Sequence, residues 1–147
     1  HHLFTITCPR PSPSPSGRGA GGEGEVEAQD GGETLYASYG VMGGFMQPQG
    51  HVQVLSALVD DGLDPQTALD LPRFCIDVEE SGGRVAIEDG MPKETISGLE
   101  KLGHPIYSVS GYARALFGRG QVILRDAETG VLTAGSDPRA DGCAMPL

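Results

Sequence analysis

In YGVMGGFMQPQGHVQ, residues 39–53, a strand-like run passes through Gly43 and Gly44 into a helix-like one. Two adjacent glycines offer no side-chain chemistry, only backbone N–H groups, and without a Cβ they let an incoming group approach closely. Taken alone, such a pair is more often a plain turn than a binding element. His51, early in the helical run, could face a pocket or lie on a polar surface, and the surface is the expected position. Arg73 in LPRF could grip a carboxylate through two parallel hydrogen bonds, yet its place after a short helix points to tying that helix end to the sheet. The stretch SDPRADG, residues 136–142, has the outward form of a Ser-Asp-Arg set. Its Asp-Pro and Gly punctuation is turn chemistry, so Asp137 is expected to cap the turn and Arg139 or Asp141 to pair locally.

Metal and redox chemistry find little support. Cys8, Cys75 and Cys143 are far apart and form no CxxC pair, so neither a disulfide framework nor a zinc site is indicated. His1, His2, His51 and His104 show no HxxxH or HExxH arrangement, and no metal or cofactor is expected. The chain of 147 residues carries a net charge of -10, with 10 Lys and Arg scattered among 20 Asp and Glu. That field repels polyanions and argues against a nucleic-acid partner. No apolar run approaches the roughly 18 residues that would read as a membrane span, so no membrane partner is expected, and localisation is left open. The first residue is His1 rather than Met, which suggests a fragment, a processed product or an open-ended reading frame.

The elements that must position these residues begin near Thr34. Residues 1–33 read as a low-complexity, disordered segment, because the run PRPSPSPSGRGAGGEG cannot bury enough apolar surface to offset its backbone entropy. In TLYASYGVM, Leu35, Ala37, Tyr39 and Val41 alternate on one face of a strand. Pro48 opens a helix whose apolar stripe is expected at Val52, Leu55, Leu58 and Val59, with Gly62 as its stop. Asp64 and Pro65 begin a second, short helix that Pro72 closes. Phe74, Ile76 and Val78 then face Val85 and Ile87 in a hairpin about Ser81-Gly82-Gly83. A third helix follows Asp89 and Pro92, with a buried stripe at Ile96, Leu99 and Leu102 and an end at Gly103. A strand at residues 106–109 leads through SGYARALFGRG into a last hairpin, QVILRD and VLTAG. This order predicts an α+β fold, helices packed on mainly antiparallel sheet.

Three segments, GVMGGFMQPQGHVQVLSALVDDGLDPQTALDLPRF, GGRVAIEDGMPKETISGLEKLGH and FGRGQVILRDAETGVLTAGSDPRADGCA, are in order and spacing similar to the C-terminal part of the gamma-glutamyltransferase (glutathione hydrolase) small subunit. The resemblance covers roughly residues 34–145 and joins several motifs rather than one. It implies residues 34–147 as part of an N-terminal nucleophile hydrolase, an αββα sandwich of two antiparallel sheets with helices outside. It implies a precursor that cleaves itself into large and small subunits, after which the new N-terminal Thr attacks a gamma-glutamyl amide, with its own α-amine as base. The acyl group then passes to water or to an amine. In that family the paired glycines donate their N–H groups to the oxygen of the tetrahedral intermediate, a role that falls here on Gly43 and Gly44. The implied partners are the large subunit, or upstream part of the same precursor, and a small gamma-glutamyl substrate. No Thr of this chain stands in the family's autocleavage context, the family's acidic residue that holds the substrate α-amine and its paired serines before the glycine strand are missing here, and the residues that grip the α-carboxylate are expected from the large subunit. Two expectations follow: a hydrolase or transferase part completed by a nucleophile from elsewhere, with this chain alone inactive, or a truncated, inactive remnant serving as a structural or binding module. The MGGFMQPQGH form of the glycine motif resembles a less characterised branch, so the acyl donor stays open.

Overall fold

A computed structural model of the protein describes residues 4–9, 33–77 and 83–145, with backbone alone for residues 4–9 and 33. Its strands are β1 (Phe4–Pro9), β2 (Glu33–Met42), β3 (Phe74–Asp77), β4 (Arg84–Glu88), β5 (Ile106–Val109), β6 (Arg119–Arg125) and β7 (Leu132–Ser136). Its helices are α1 (Gln47–Val59), α2 (Pro65–Asp70) and α3 (Lys93–Lys101), with 3-10 segments at Gly44–Met46 and Gly111–Phe117. Strand β1 lies within the span 1–33, and residues 10–32, with most of the Pro-Ser-Gly tract, are outside the described residues. Among the described residues no helix is long and apolar enough to cross a membrane.

Two sheets form, one four-stranded and antiparallel in the order β1-β2-β6-β7, the other three-stranded in the order β3-β4-β5. The hairpin of β3 and β4 pairs Phe74 with Ile87 and Ile76 with Val85, as the alternation predicts, while Val78, Ser81 and Gly82 lie outside the described residues. One pairing departs from the antiparallel expectation: β5 runs parallel to β4, because α3 carries the chain back across the sheet between them.

Register decides which residues reach the core. Ala37, Tyr39 and Val41 of β2 stand opposite Leu124, Val122 and Gly120 of β6, on the face that α1 and α2 cover. Tyr39, Val41, Val54, Ala57, Leu58, Leu69 and Val122 pack there as one cluster. Leu35, expected on that face, is exposed, because pairing with β6 begins only at Ala37. The stripe of α1 also differs from expectation. The buried positions are Gly50, His51, Val54, Ala57 and Leu58, whereas Val52 and Val59 are 66% and 52% exposed. Gly50 sets this rotation: a Cβ there would lie 2.7 Å from Val41 Cγ1, so the helix rests its smallest residue, not its largest, on the strand. In α3, Ile96 and Leu99 are half-buried and Leu102 is exposed, since β5 is the main element packed against it.

Glutamine side chains close two sheet edges. Gln49 and Gln53, one turn apart on α1, each pair both ways with the free edge of β3. Gln49 donates to Ile76 O (3.1 Å) and accepts from Ile76 N–H (2.8 Å); Gln53 does the same with Phe74 at 3.0 Å each way. Gln66 of α2 forms the same pair of hydrogen bonds with Ser136 on the edge of β7, donating to its O and accepting from its N–H at 3.0 Å each. A primary amide presents one donor and one acceptor in the manner of a peptide group, so each glutamine occupies the place of a further strand.

Candidate functional site

Strand β2 ends at Met42, opposite Arg119 at the start of β6, and Gly43 carries the chain into the 3-10 turn Gly44–Met46 and on into α1. The first hydrogen bond of this helical run goes from Met46 N–H to Gly43 O, at 3.0 Å. The N–H groups of Gly43, Gly44 and Phe45 therefore precede it and have no acceptor within the helix, and no side chain caps the turn. They sit at the positive end of the peptide dipoles, where negative charge is favoured. The two glycines are required for different reasons. Gly44 has φ +58, the left-handed region, with nothing within 4 Å of where a Cβ would stand. Gly43 is extended, but a Cβ on it would meet Gly118 Cα at 3.0 Å. Gly118 in turn has φ +78, and its Cβ would stand 2.7 Å from Val41 Cγ1 and 2.8 Å from Met42 O.

His51 is buried at 6% exposure, not on the surface as the sequence suggested. Its Nε2 accepts from Val41 N–H at 3.1 Å and its Nδ1 lies 2.5 Å from Gln47 O, so Nδ1 carries the proton in this arrangement. The ring meets Tyr39 edge-on at 5.6 Å between centroids. The histidine thus ties the first turn of α1 to the last residues of β2, holding the glycine junction between them. An apolar hollow of about 640 Å³ opens beside it, bordered by Tyr39, Gly44, Phe45, Pro48 and Leu55.

Behind the junction lies a buried network of charges. Arg73, 2% exposed, pairs with Asp137 at 2.8 Å, donates to Phe117 O at 3.2 Å and reaches Leu69 O of α2 at 3.4 Å. It ties a helix end to the sheet as expected, while its Nε is buried without a hydrogen-bond partner among the described residues. Burial pushes the Arg73 guanidinium below its ordinary value, and the Asp137 charge opposes that shift. Asp137 caps its turn as predicted, accepting from Arg139 N–H at 2.9 Å, and its other oxygen accepts from Gly120 N–H at 2.7 Å. Arg139 pairs with Asp137 at 3.0 Å and, well beyond local reach, with Glu88. Glu88 also accepts from Arg73 N–H at 2.8 Å and from Arg114 Nε at 2.5 Å. Burial alone would raise the Glu88 carboxyl, but hydrogen bonds from Arg139 and Arg114 outweigh it and hold it below the ordinary carboxylate value. Sequence reasoning passed over Glu88. The available signal was a carboxylate closing the apolar run Val85-Ala86-Ile87, a position that needs cationic partners once the strand is buried. The network fixes the Phe117, Gly118 and Gly120 backbone, and Gly118 is what Gly43 rests against.

The described threonines have structural duties where their bonds are defined: Thr67 donates to Asp64 at 2.5 Å in the cap of α2, and Thr129 to Asp126 at 2.7 Å in the last hairpin turn. Among the described residues no three His, Cys, Asp or Glu side chains come together to hold a metal.

A family model for gamma-glutamyltranspeptidase matches residues 26–147. The chain is 36% identical over 112 residues to the glutathione hydrolase-like YwrD proenzyme of Bacillus subtilis, covering 74% of this chain and 21% of that protein. It is 26% identical over 108 residues to the oxamate amidohydrolase proenzyme of Klebsiella pneumoniae, covering 72% and 20% respectively. Among solved structures, a cephalosporin acylase from Bacillus halodurans superposes with a TM-score of 0.67 at 45% identity, over 74% of this chain and 19% of that one. A gamma-glutamyltranspeptidase from Pseudomonas nitroreducens superposes with a TM-score of 0.64 over 98% of this chain and 63% of its own, at 16% identity, a likeness of fold. The sheets and helices described above are thus part of an N-terminal nucleophile hydrolase fold. The chain spans about a fifth of the length of the curated relatives it matches.

Proposed function

Because the chain belongs to the gamma-glutamyltranspeptidase family, we propose that it supplies the oxyanion-stabilising part of an amide acyl-transfer site whose Thr nucleophile comes from the upstream part of the precursor. The observation that carries this reading is the Gly43-Gly44 turn. Its leading N–H groups precede the first helical bond, at the positive end of α1, and His51 and Gly118 hold the turn on either side. When Thr attacks an amide carbonyl, negative charge develops on the oxygen. Backbone donors already fixed in place stabilise it without reorganising, each by about 3 kcal/mol. Collapse expels the amine and leaves an acyl-enzyme, which water or a second amine resolves.

The acyl group is gamma-glutamyl or a related acyl in a carboxylate-bearing amide. Glutathione, oxamate and the cephalosporins, after which the relatives are named, differ in their amides but all carry a free carboxylate.

The test is complementation. The Bacillus subtilis relative, cut before the region that matches this chain, is co-expressed with the 147 residues, and release of a chromogenic gamma-glutamyl anilide is followed. Activity that requires this chain and falls in kcat by about 10²-fold or more on Gly44→Ala supports the reading. Activity that requires the chain but stays within twofold of wild type in that variant refutes the oxyanion role.

A further inference from the structure

The segment QPQGHVQ, residues 47–53, forms the first two turns of α1, directly behind the glycine turn. Little within the segment keeps this helix start still. Pro48 presets its own φ, but Met46 at the cap offers no side-chain hydrogen bond and the first turn holds no acidic residue to meet the dipole. A helix end of this kind frays unless contacts from outside the helix fix it.

Two sets of side chains supply those contacts from opposite sides. At 3.6 residues per turn, position 51 stands about 180° around the helix axis from the midpoint of positions 49 and 53. His51 accepts from Val41 N–H at the end of β2 (3.1 Å), in the four-stranded sheet. Gln49 and Gln53 pair with Ile76 and Phe74 of β3, in the three-stranded sheet. The fit of helix to strand is geometric: residues four apart on a helix rise by about 6 Å and alternate residues of a strand by about 6.7 Å, so successive glutamines meet successive outward-facing peptide groups. Gln53 Nε2 gives its second proton to Gln49 O, at 3.0 Å, which fixes the plane of its amide. His51 alone would leave α1 a pivot. The four bonds to β3, at 2.8, 3.0, 3.0 and 3.1 Å, oppose both rotation of α1 about its axis and sliding along it. Either movement would carry the Gly43-Gly44 turn with it, because the 3-10 segment Gly44–Met46 runs into α1 with no loop between them.

We propose that Gln49 and Gln53 are positioning residues for the acyl-transfer step: by clamping α1 to β3 while His51 holds its opposite side, they set where the leading N–H groups of the Gly43-Gly44 turn point. The role rests on the oxyanion reading, but the clamp is testable without turnover. Gln66 serves as the control. It makes the same pair of bonds, with Ser136, from a helix that carries no part of the turn.

The experiment compares Gln49→Met, Gln53→Met, the double variant and Gln66→Met, since methionine keeps the length of the side chain and removes both of its bonds to the strand. In the isotopically labelled 147-residue chain, NMR gives amide shifts and order parameters at residues 43–45. The double variant is expected to shift these amides and to lower their order parameters from about 0.85 to below about 0.6, and Gln66→Met to leave both unchanged. In the complementation assay, kcat is expected to fall by about tenfold or more in the double variant, because a displacement of about 1 Å far from the chemistry is enough for such a loss. KM stays within about twofold, since the turn acts on charge that develops only in the transition state, and Gln66→Met keeps kcat within about twofold of wild type. If the double variant does not fold, the two single variants carry the same comparison with smaller changes of the same sign. Unchanged shifts and order parameters at residues 43–45, or a kcat loss in Gln66→Met equal to that in the glutamine variants of α1, overturns the proposal. A loosened turn with no activity from the wild-type chain in complementation removes the acyl-transfer role and leaves the clamp; activity with a turn indifferent to both glutamines removes the clamp and leaves the oxyanion turn.

Discussion

Replacing Asp137 by Ala is expected to cost this fold about 3–5 kcal/mol, the range for breaking a buried pair by removing one partner. The structure supplies the reason. Asp137 is wholly buried and serves four partners: the Arg73 guanidinium at 2.8 Å, Gly120 N–H at 2.7 Å, Arg139 N–H at 2.9 Å and Arg139 Nη1 at 3.0 Å. At an effective dielectric of about 20, two unit charges at that first separation attract by roughly 6 kcal/mol, offset by the cost of taking both from water. The deletion strands Arg73, which is 2% exposed and cannot reach solvent in place. Set against a total stability of about 5–15 kcal/mol, the loss approaches unfolding. Urea denaturation of the full chain followed by far-UV circular dichroism reads it directly. With a slope of about 2 kcal/mol per molar, the midpoint falls by roughly 2 M. Asp137→Asn falls less, because one carbonyl oxygen can still serve Gly120 N–H, and Asp141→Ala, at an exposed position, stays within about 0.5 kcal/mol. The double change Arg73→Met with Asp137→Leu recovers only part of the loss: it removes the stranded Arg73 charge but leaves Gly120 N–H and Arg139 Nη1 without their carboxylate acceptor. A midpoint shift below about 0.5 M for Asp137→Ala would refute the claim that the network holds this part of the fold.

Gly44→Ala imposes a left-handed alanine in open space and should lower stability by about 1–2 kcal/mol. Gly118→Ala adds a clash with Val41 and Met42 to the same kind of strain, so its midpoint in urea should fall further than that of Gly44→Ala, and equal values would contradict the packing. Glu88 is held below the ordinary carboxylate value in the folded state, so its contribution is full above the unfolded value of about 4.3 and is lost as pH falls through the lower folded value. Stability measured from pH 7 downward should therefore decline in that acid range, and Glu88→Gln should show a shallower decline. The chain alone should leave a chromogenic gamma-glutamyl anilide intact, because Thr67 and Thr129 are held in the cap of α2 and in the last hairpin turn and no described threonine lines the hollow at Gly44, and a burst of anilide release would overturn that expectation.

The local fold was legible because its punctuation is chemical. Asp64 caps α2 through Gln66 and Thr67 N–H groups at 3.0 Å, the expected signature of an Asp-Pro start. The β3–β4 and β6–β7 hairpins follow from period-two alternation. Helix faces were less legible. Ranking α1 by large apolar residues chose Val52 and Val59, whereas the contact with β2 is decided by Gly50 and by His51, whose ring is drawn inward by Val41 N–H. Long-range pairs were hidden altogether. Glu88 and Arg139 are 51 residues apart, and nothing local to VAIE or SDPR says that they meet. The same holds for the edges: Gln49, Gln53 and Gln66 look like solvated helix positions until the unpaired edges of β3 and β7 stand beside them.

The glycine junction shows why a motif can be visible while its reason is not. MGGF and FGRG lie 70 or more residues apart and read as two separate turns. In the fold they form one unit, because Gly43 lacks a side chain to admit Gly118, and Gly118 lacks one to admit Val41 and Met42. Of these three, Gly44 alone is glycine for its own backbone angle and not for space. The donors at Gly43 and Gly44 are thus set by a surface that includes the β6 start, and the β6 start is set by Asp137 through Gly120 and by Arg73 through Phe117. On the oxyanion role proposed for that turn, Arg73 and the SDPR turn govern how still those N–H groups are held. Preorganisation is what makes a backbone donor effective toward developing charge. A buried ion network is a stiff support for it, since any motion that opens the pairs exposes a charge to an apolar interior.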